Sequence, residues 1–149
     1  MTGSSIHQWD SPRLLLVVEC THDGSLKHIV KYRTQWGWES FKRRVLDPQR
    51  LNDLQRLQRS VLLNGFALLK SSGRLVYSTC SFARAQNEEI VEWFLKQEPE
   101  AKPVVLDLGY GAGSMHRFLP NQHGTSFLFV SVLTRVVHDC KSSSASGFV

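Results

Sequence analysis

The chain has 149 residues, 18 of them Lys or Arg against 13 acidic, for a formal charge of +5. That length holds one domain, or part of one, and the basic balance points to an acidic partner, nucleic acid foremost. No apolar stretch reaches bilayer-spanning length, and the opening MTGSSIHQWD lacks a signal-peptide core, so a soluble intracellular protein is expected, with no membrane partner.

Residues 1–13 read as a polar lead-in. The continuous apolar run at 14–18 is the pattern of a strand buried on both faces, and it closes on Glu19 and Cys20. Residues 21–46 show little periodicity but much chemistry: Thr21, His22, Asp23 and Gly24, then Lys27, His28, Lys31, Arg33, Trp36, Trp38, Lys42, Arg43 and Arg44. Asp47 and Pro48 open a helix as N-cap and first helical residue. Leu51, Leu54, Leu57, Val61, Leu62 and Phe66 carry the helical spacing to Lys70, and Gly73 reads as its stop. A strand at 74–79 follows and ends at Cys80.

A second helix is expected from near Ala85 to Lys96, with acidic Glu88 and Glu89 at the positive end of its dipole and Pro99 beyond its close. Residues 103–106 form a weak strand, Gly109 to Gly113 a flexible loop, and residues 126–133 a strong strand. The Ser-rich tail, residues 138–149, is expected to be disordered. The order β-α-β-α-β-β describes part of an open α/β sheet with helix crossovers, ending in an antiparallel hairpin.

Cysteines 20, 80 and 140 include no Cys-x-x-Cys pair, which favours reduced thiols over a disulfide framework. Cys140 falls in the polar tail and reads as incidental. Cys20 and Cys80 each close an apolar run, and the carboxyl ends of strands are where open α/β sheets present reactive groups. Two strand-end thiols suggest covalent chemistry; the competing reading is a pair of inert packing cysteines. His22 and Asp23 beside Cys20 suggest a Cys/His nucleophile or a metal site, but the local sequence offers no further ligand at the required spacing, so no metal is expected.

The run Leu68-Leu69-Lys70-Ser71-Ser72-Gly73-Arg74-Leu75-Val76-Tyr77-Ser78-Thr79-Cys80-Ser81, continued by Gln86-Asn87-Glu88-Glu89-Ile90-Val91, resembles the Sun-type RNA (cytosine-C5) methyltransferases. That family includes the nucleolar proliferation antigen. Arg117-Phe118-Leu119-Pro120, His123-Gly124-Thr125 and the strand after them resemble its C-terminal motif. Glu19-Cys20-Thr21 falls where the family has a Pro-Cys pair. The resemblance runs from about residue 14 to residue 135, and residues 14–137 are read as the C-terminal half of a methyltransferase catalytic domain. It implies a partial Rossmann-like class I sheet, mostly parallel with a terminal antiparallel hairpin.

It also implies that Cys80 is the nucleophile, adding to carbon 6 of cytosine so that carbon 5 can take a methyl group from S-adenosylmethionine. Cys20 is then the residue that helps release the product. The target is a single-stranded or flipped cytosine in ribosomal or transfer RNA. Lys27, Lys31, Arg33, Arg43, Arg44, Arg117 and His123 are the expected RNA contacts, with tryptophans for stacking; the competing reading is a solvated charge run over core-capping tryptophans.

The sequence departs from the family in three places. Its cofactor-binding half does not fit into the residues before Leu14, so no cofactor-binding residue is assigned. Val17 replaces an Asp expected to engage the cytosine edge. Glu19 replaces proline, where a carboxylate either bonds the base or raises the Cys20 pKa. The alternative function is thus a non-catalytic RNA- or partner-binding remnant of such an enzyme, with a protein partner covering the exposed edge of the 14–18 strand. A third reading takes Gly109-x-Gly111-x-Gly113 as the cofactor loop of a different methyltransferase, although no helix pattern follows it.

Overall fold

Two neighbouring strands running in the same direction set the frame. The computed structural model describes residues 11–109 and 111–136; the first ten residues, Tyr110, Cys140 and the predicted tail lie outside them. Strand β1 (Ser11–Val17) pairs in parallel with β2 (Leu69–Thr79), in register from Leu14 opposite Leu75 to Val17 opposite Ser78. The connection between them is helical: α1 (Leu26–Lys31), a π-helical turn (Tyr32–Trp36), α2 (Gly37–Phe41), a second π turn (Lys42–Leu46), then α3 (Pro48–Ala67).

The two π turns explain why residues 21–46 show no helical period. Each widens the hydrogen-bond spacing to i→i+5, which shifts the phase of any apolar stripe. Gly37, at φ 75°, breaks the run again, and Tyr32 is the buried residue of the first turn. Helix α3 starts as its sequence predicts. The Asp47 carboxylate accepts from the Gln49 and Arg50 amides, and Pro48 occupies the first turn.

The end of α3 differs from expectation. The helix stops at Ala67 and the strand begins at Leu69, inside the stretch expected to remain helical. Gly73 is not a helix stop. Leu69 pairs with Ser11 and Arg74 with Arg13, so residues 70–73 bulge out of the ladder. Ser72 takes φ 61°, and a Cβ on Gly73 would sit 2.8 Å from both Leu69 Cδ1 and the Lys70 carbonyl. Glycine is what lets the bulge close this tightly.

Beyond β2 the sheet continues with β7 (Leu128–Arg135), antiparallel to β2. On the far edge of β7, β3 (Ala101–Pro103) and β6 (Met115–Phe118) pair antiparallel, one after the other. The order is β1-β2-β7-β3, with β6 also on β7. The α/β class and the antiparallel close match the expectation; parallel pairing in this mixed sheet is confined to β1 and β2. The expected strand at 103–106 is split, because Leu106–Asp107 (β4) leaves to pair with Ala112–Gly113 (β5) in a separate hairpin. Strand β6 and the short α5 (Pro120–His123) were not foreseen: every residue of β6 is half-buried, so Met-His-Arg-Phe carries no alternating signal.

Helices α3 and α4 (Glu88–Gln97) cover the sheet. The core holds Leu62 and Phe66 from α3, Ile90, Val91 and Phe94 from α4, and Leu75, Tyr77, Phe129 and Leu133 from the sheet. Gly65 lets α3 lie close to β1; a Cβ there would stand 2.7 Å from Leu16 Cδ1. Burial of β1 on both faces is not observed. Leu15 and Val17 are 66% and 74% exposed, and β1 forms the sheet edge among the described residues. None of the described helices is long and apolar enough to cross a membrane.

The Phe66 and Phe94 rings meet edge to face at 5.2 Å, both essentially buried. Phe94→Ala should therefore cost about 3–5 kcal/mol, read by chemical denaturation. A loss below about 1 kcal/mol would place α4 outside the core.

Candidate active site

Because β1 and β2 run parallel and in register, their chains leave the sheet at the same edge. The Val18 amide donates to the Ser78 carbonyl (3.2 Å), extending the ladder by one bond before the strands end. Cys20 follows two residues later and Cys80 two residues after Ser78. Their Sγ atoms lie 3.5 Å apart as free thiols, Cys20 buried and Cys80 half-buried. The two strand-end cysteines thus form one site.

A third group joins them. His22 Nδ1 lies 3.0 Å from Cys80 Sγ and 3.6 Å from Cys20 Sγ. His22 holds φ 58°, which a bulky side chain adopts only when its surroundings enforce it. Its ring stacks on His28 at 4.5 Å between centroids and 12° between planes. The next turn is fixed by backbone: Gly24 donates to the Cys80 carbonyl (2.9 Å) and accepts from Phe127 (3.1 Å). A Cβ on Gly24 would stand 2.6 Å from that carbonyl, so a side chain there displaces the Cys80 loop.

Side-chain amides brace both loops. Gln86, in the 3-10 turn before α4, accepts from the Thr21 amide and donates to the Thr21 hydroxyl, both at 3.1 Å. Buried Gln58 on α3 donates to the Glu19 carbonyl (2.8 Å) and to Gln86 Oε1 (3.3 Å). The Tyr77 hydroxyl donates to the Gln86 carbonyl (2.7 Å). Thr21 also bonds Ser81 Oγ (3.0 Å) and the Asp23 carboxylate, which in turn accepts from the Phe82 amide (3.1 Å).

Asn87 directly precedes α4. It stands at the N-cap position, but its side chain makes no capping bond. Nδ2 instead donates to the Ser81 carbonyl (2.6 Å) and Oδ1 accepts from the Thr79 hydroxyl, clasping the Thr-Cys-Ser turn. Gln58 and Gln86 carry no role in the sequence reading of the site. The available signal was that two glutamines fall at buried positions of helical segments, where an amide needs a polar partner.

The Cys20 thiol is lowered to about 6. The largest cause is the hydrogen bond from Cys80; burial opposes it, and the His22 and Cys80 amides add to it. Cys80 is raised, first by that same shared bond, then by burial and by the charges of Cys20 and Asp23. The shared bond thus favours the charged form at Cys20 and disfavours it at Cys80. Of the two roles open to Glu19, raising the Cys20 pKa finds no support. Its carboxylate turns to Arg50 at 3.1 Å and is absent from the groups acting on the thiol.

The expected RNA contacts fall in two places. Lys27 and Lys31 lie on α1, Arg33 in the first π turn, and Arg43 and Arg44 in the second. Lys31 and Arg44 each stand over the Trp36 ring, 5.1 and 5.5 Å from its centroid, so that ring is occupied by the protein's own cations. Trp38, 62% exposed, stacks on Phe41 and lines a pocket of about 380 Å³ with Tyr32 and Arg33. Arg117, on β6, makes a two-pronged ion pair with Glu88 (2.5 and 2.7 Å) and donates to the Phe82 carbonyl (3.1 Å). Burial works against the Glu88 charge, but the Arg117 bonds outweigh it and hold the carboxyl below its ordinary range. His123 Nδ1 accepts from the Leu119 amide (3.0 Å) at its own turn.

The glycine loop does not open a helix. Gly109 and Gly111 span the β4–β5 hairpin at φ 81° and 116°, with open space around each Cβ position. The described residues of this hairpin form no cradle for a nucleotide-like cofactor.

The described residues thus define an α/β fold that sets two free thiols side by side at the ends of parallel strands. Residues 10–134 match the family model described as 16S rRNA methyltransferase RsmB/F, and the chain belongs to that family of RNA methyltransferases. Ribosomal RNA small subunit methyltransferase F of Pectobacterium atrosepticum is 28% identical over 88 residues, 59% of this chain and 16% of the relative. The multisite-specific tRNA:(cytosine-C(5))-methyltransferase of Saccharomyces cerevisiae is 34% identical over 85 residues, 57% of this chain and 11% of the relative. The crystal structure of PH0851 superposes with a TM-score of 0.69 at 30% identity, covering 84% of this chain and 27% of that one. NSun6 from Pyrococcus horikoshii, solved with SFG, gives 0.59 at 26%, covering 83% and 30%. The chain thus spans less than a third of each of these proteins.

The shared proton sets a pH dependence. Alkylation of Cys20 should rise as pH increases through about 6, where its thiolate forms. In Cys80→Ala the midpoint should move up, because the bond that most lowers Cys20 is gone. A wild-type midpoint near the unperturbed thiol value of about 8.5 would show that the two sulfurs do not share a proton.

Proposed function

We propose that this chain carries the nucleophile-bearing part of an S-adenosylmethionine-dependent RNA (cytosine-C5) methyltransferase acting on ribosomal or transfer RNA. The observation that supports it most is the pairing of a half-exposed thiol, Cys80, with a buried one, Cys20, at the carboxyl ends of two parallel strands. The family supplies the reaction class and the exposed sulfur supplies the attacking atom.

In this reading Cys80 Sγ adds to carbon 6 of a cytosine. The S–C6 bond forms and the C5–C6 π pair moves onto carbon 5, which becomes enamine-like. Once carbon 5 has used that pair to take a methyl group, loss of its original proton restores the C5–C6 double bond and expels the Cys80 sulfur as a thiolate. Cys20, 3.5 Å from that sulfur, is placed to receive the Cys80 proton on attack; after releasing it to solvent, its thiolate takes the carbon 5 proton. The base must be outside a helix for this approach. Lys27, Lys31, Arg33, Arg43 and Arg44 along residues 26–46 supply phosphate contacts, and exposed Trp38 a stacking face. Arg117 and His123, both engaged within the fold, contribute by holding the loops that flank the base.

No residue of this chain is assigned to the methyl donor. The open edge of β1, with Leu15 and Val17 exposed, is the place for a protein segment or partner bearing that site. The same two facts, with Val17 unable to hydrogen-bond a cytosine edge, favour the second reading: a remnant that binds RNA or a partner without turnover.

Covalent addition needs no methyl donor, so it separates the two readings. Incubated with 5-azacytidine-substituted ribosomal or transfer RNA, the chain should form an adduct that survives denaturing electrophoresis. Cys80→Ala should abolish it, and Cys20→Ala should retain it with slower decay. RNA retention on a native gel with no covalent adduct in wild type would select the non-catalytic reading. Adduct surviving in Cys80→Ala would remove the assigned nucleophile.

A further inference from the structure

We propose that Cys20, His22 and Cys80 form a binding site for one thiophilic divalent cation, of which zinc is the type. The sequence concealed it. Cys20 and His22 are local, but the third donor, Cys80, arrives only through the parallel pairing of β1 with β2.

The donor set and its spacing carry the inference. The three donor atoms face one another at 3.5 Å (Cys20 Sγ to Cys80 Sγ), 3.6 Å (Cys20 Sγ to His22 Nδ1) and 3.0 Å (His22 Nδ1 to Cys80 Sγ). Tetrahedral zinc with bonds of about 2.3 Å to sulfur and about 2.0 Å to nitrogen sets sulfur–sulfur edges near ~3.8 Å and sulfur–nitrogen edges near ~3.5 Å. Two of the three observed edges fall within a few tenths of an ångström of these values. The third needs the His22 ring to withdraw from Cys80 by roughly half an ångström to reach the tetrahedral edge.

The surroundings hold the donors in place. His22 keeps its strained backbone, and its ring stacks flat on His28, whose own Nδ1 bonds Ser25 Oγ at 2.8 Å. The stack restricts the plane in which the His22 ring can lie. Cys20 is buried, while Cys80 is partly open and gives a path of entry. Among the described residues the cluster offers three protein donors, which leaves the fourth tetrahedral position to water. The Asp23 carboxylate is already committed to the Thr21 hydroxyl and the Phe82 amide. On binding, thiol protons pass to solvent and two metal–sulfur bonds form. Both sulfurs of the proposed reaction are then occupied, so the metal-bound and nucleophilic states exclude each other.

The test is optical and needs neither RNA nor methyl donor, so it stands apart from the proposed methyltransferase chemistry. The reduced 149-residue chain carrying Cys140→Ser is titrated with Co²⁺, and Zn²⁺ is then added. The expected result is one equivalent of Co²⁺ bound, with a thiolate-to-cobalt charge-transfer band and the intense visible bands of tetrahedral cobalt, all bleached by Zn²⁺. His22→Gly, in which glycine takes the positive φ without strain, and Cys80→Ser should each weaken binding by about tenfold or more. Circular dichroism confirms that each variant remains folded. Absence of the charge-transfer band in folded wild type, or an unchanged titration in both variants, overturns the proposal.

Discussion

The parallel register of β1 against β2 is the constraint on which the rest of this molecule depends. Val17 opposite Ser78 brings both strands to the same edge, so two cysteines sixty positions apart in sequence leave the sheet side by side. Register alone delivers two loops to one neighbourhood. Their final separation is set by buried amides: Gln58 and Gln86 tie the Cys20 loop to α3 and to the 3-10 turn before α4, and Asn87 clasps the turn around Cys80. These bonds lie in a desolvated setting, where a lost partner leaves a buried polar group unpaired at about 1–3 kcal/mol. Polar residues here contribute geometry as well as stability, and the geometry is what the chemistry uses.

Once the sulfurs are within reach, electrostatics follows. A single proton shared between two thiols cannot satisfy both, and the amides of His22 and Cys80 tip the charge toward Cys20. The shared bond favours charge on the buried sulfur and the proton on the half-exposed one, so each thiol has an acid–base partner in place. A substrate entering beside Cys80 meets a thiol whose proton can pass to its neighbour without solvent. The same closeness, with His22 as third member, builds a soft-metal donor set. Nucleophile and chelator are two uses of one cluster.

Much of this was legible in the sequence, for identifiable reasons. Continuous apolar runs marked β1 and β2, Asp47-Pro48 marked the start of α3, and the strand-end positions of Cys20 and Cys80 marked the site. What escaped notice was what sequence periodicity does not encode. The π turns erased the helical phase of residues 32–46, and Gly73 looked like a helix stop when it serves a bulge inside a strand. Strand β6 lacked alternation because it is half-buried throughout. At the site, Glu19 was read for its charge near Cys20, yet Arg50 draws that charge away. His22 was seen without its third-donor partner, because only the folded sheet supplies Cys80.

The central claim is that Cys20 and Cys80 stand together in the folded chain, held there by the Gln86 bracket. The most direct measurement is bridging by dibromobimane in a Cys140→Ser background, with the linked peptides identified by mass spectrometry. The account predicts a rapid fluorescent Cys20–Cys80 bridge in the folded protein. It also predicts slower bridging in Gln86→Ala and none after denaturation at the same protein concentration. Two singly labelled thiols with no bridge in the folded chain would contradict it.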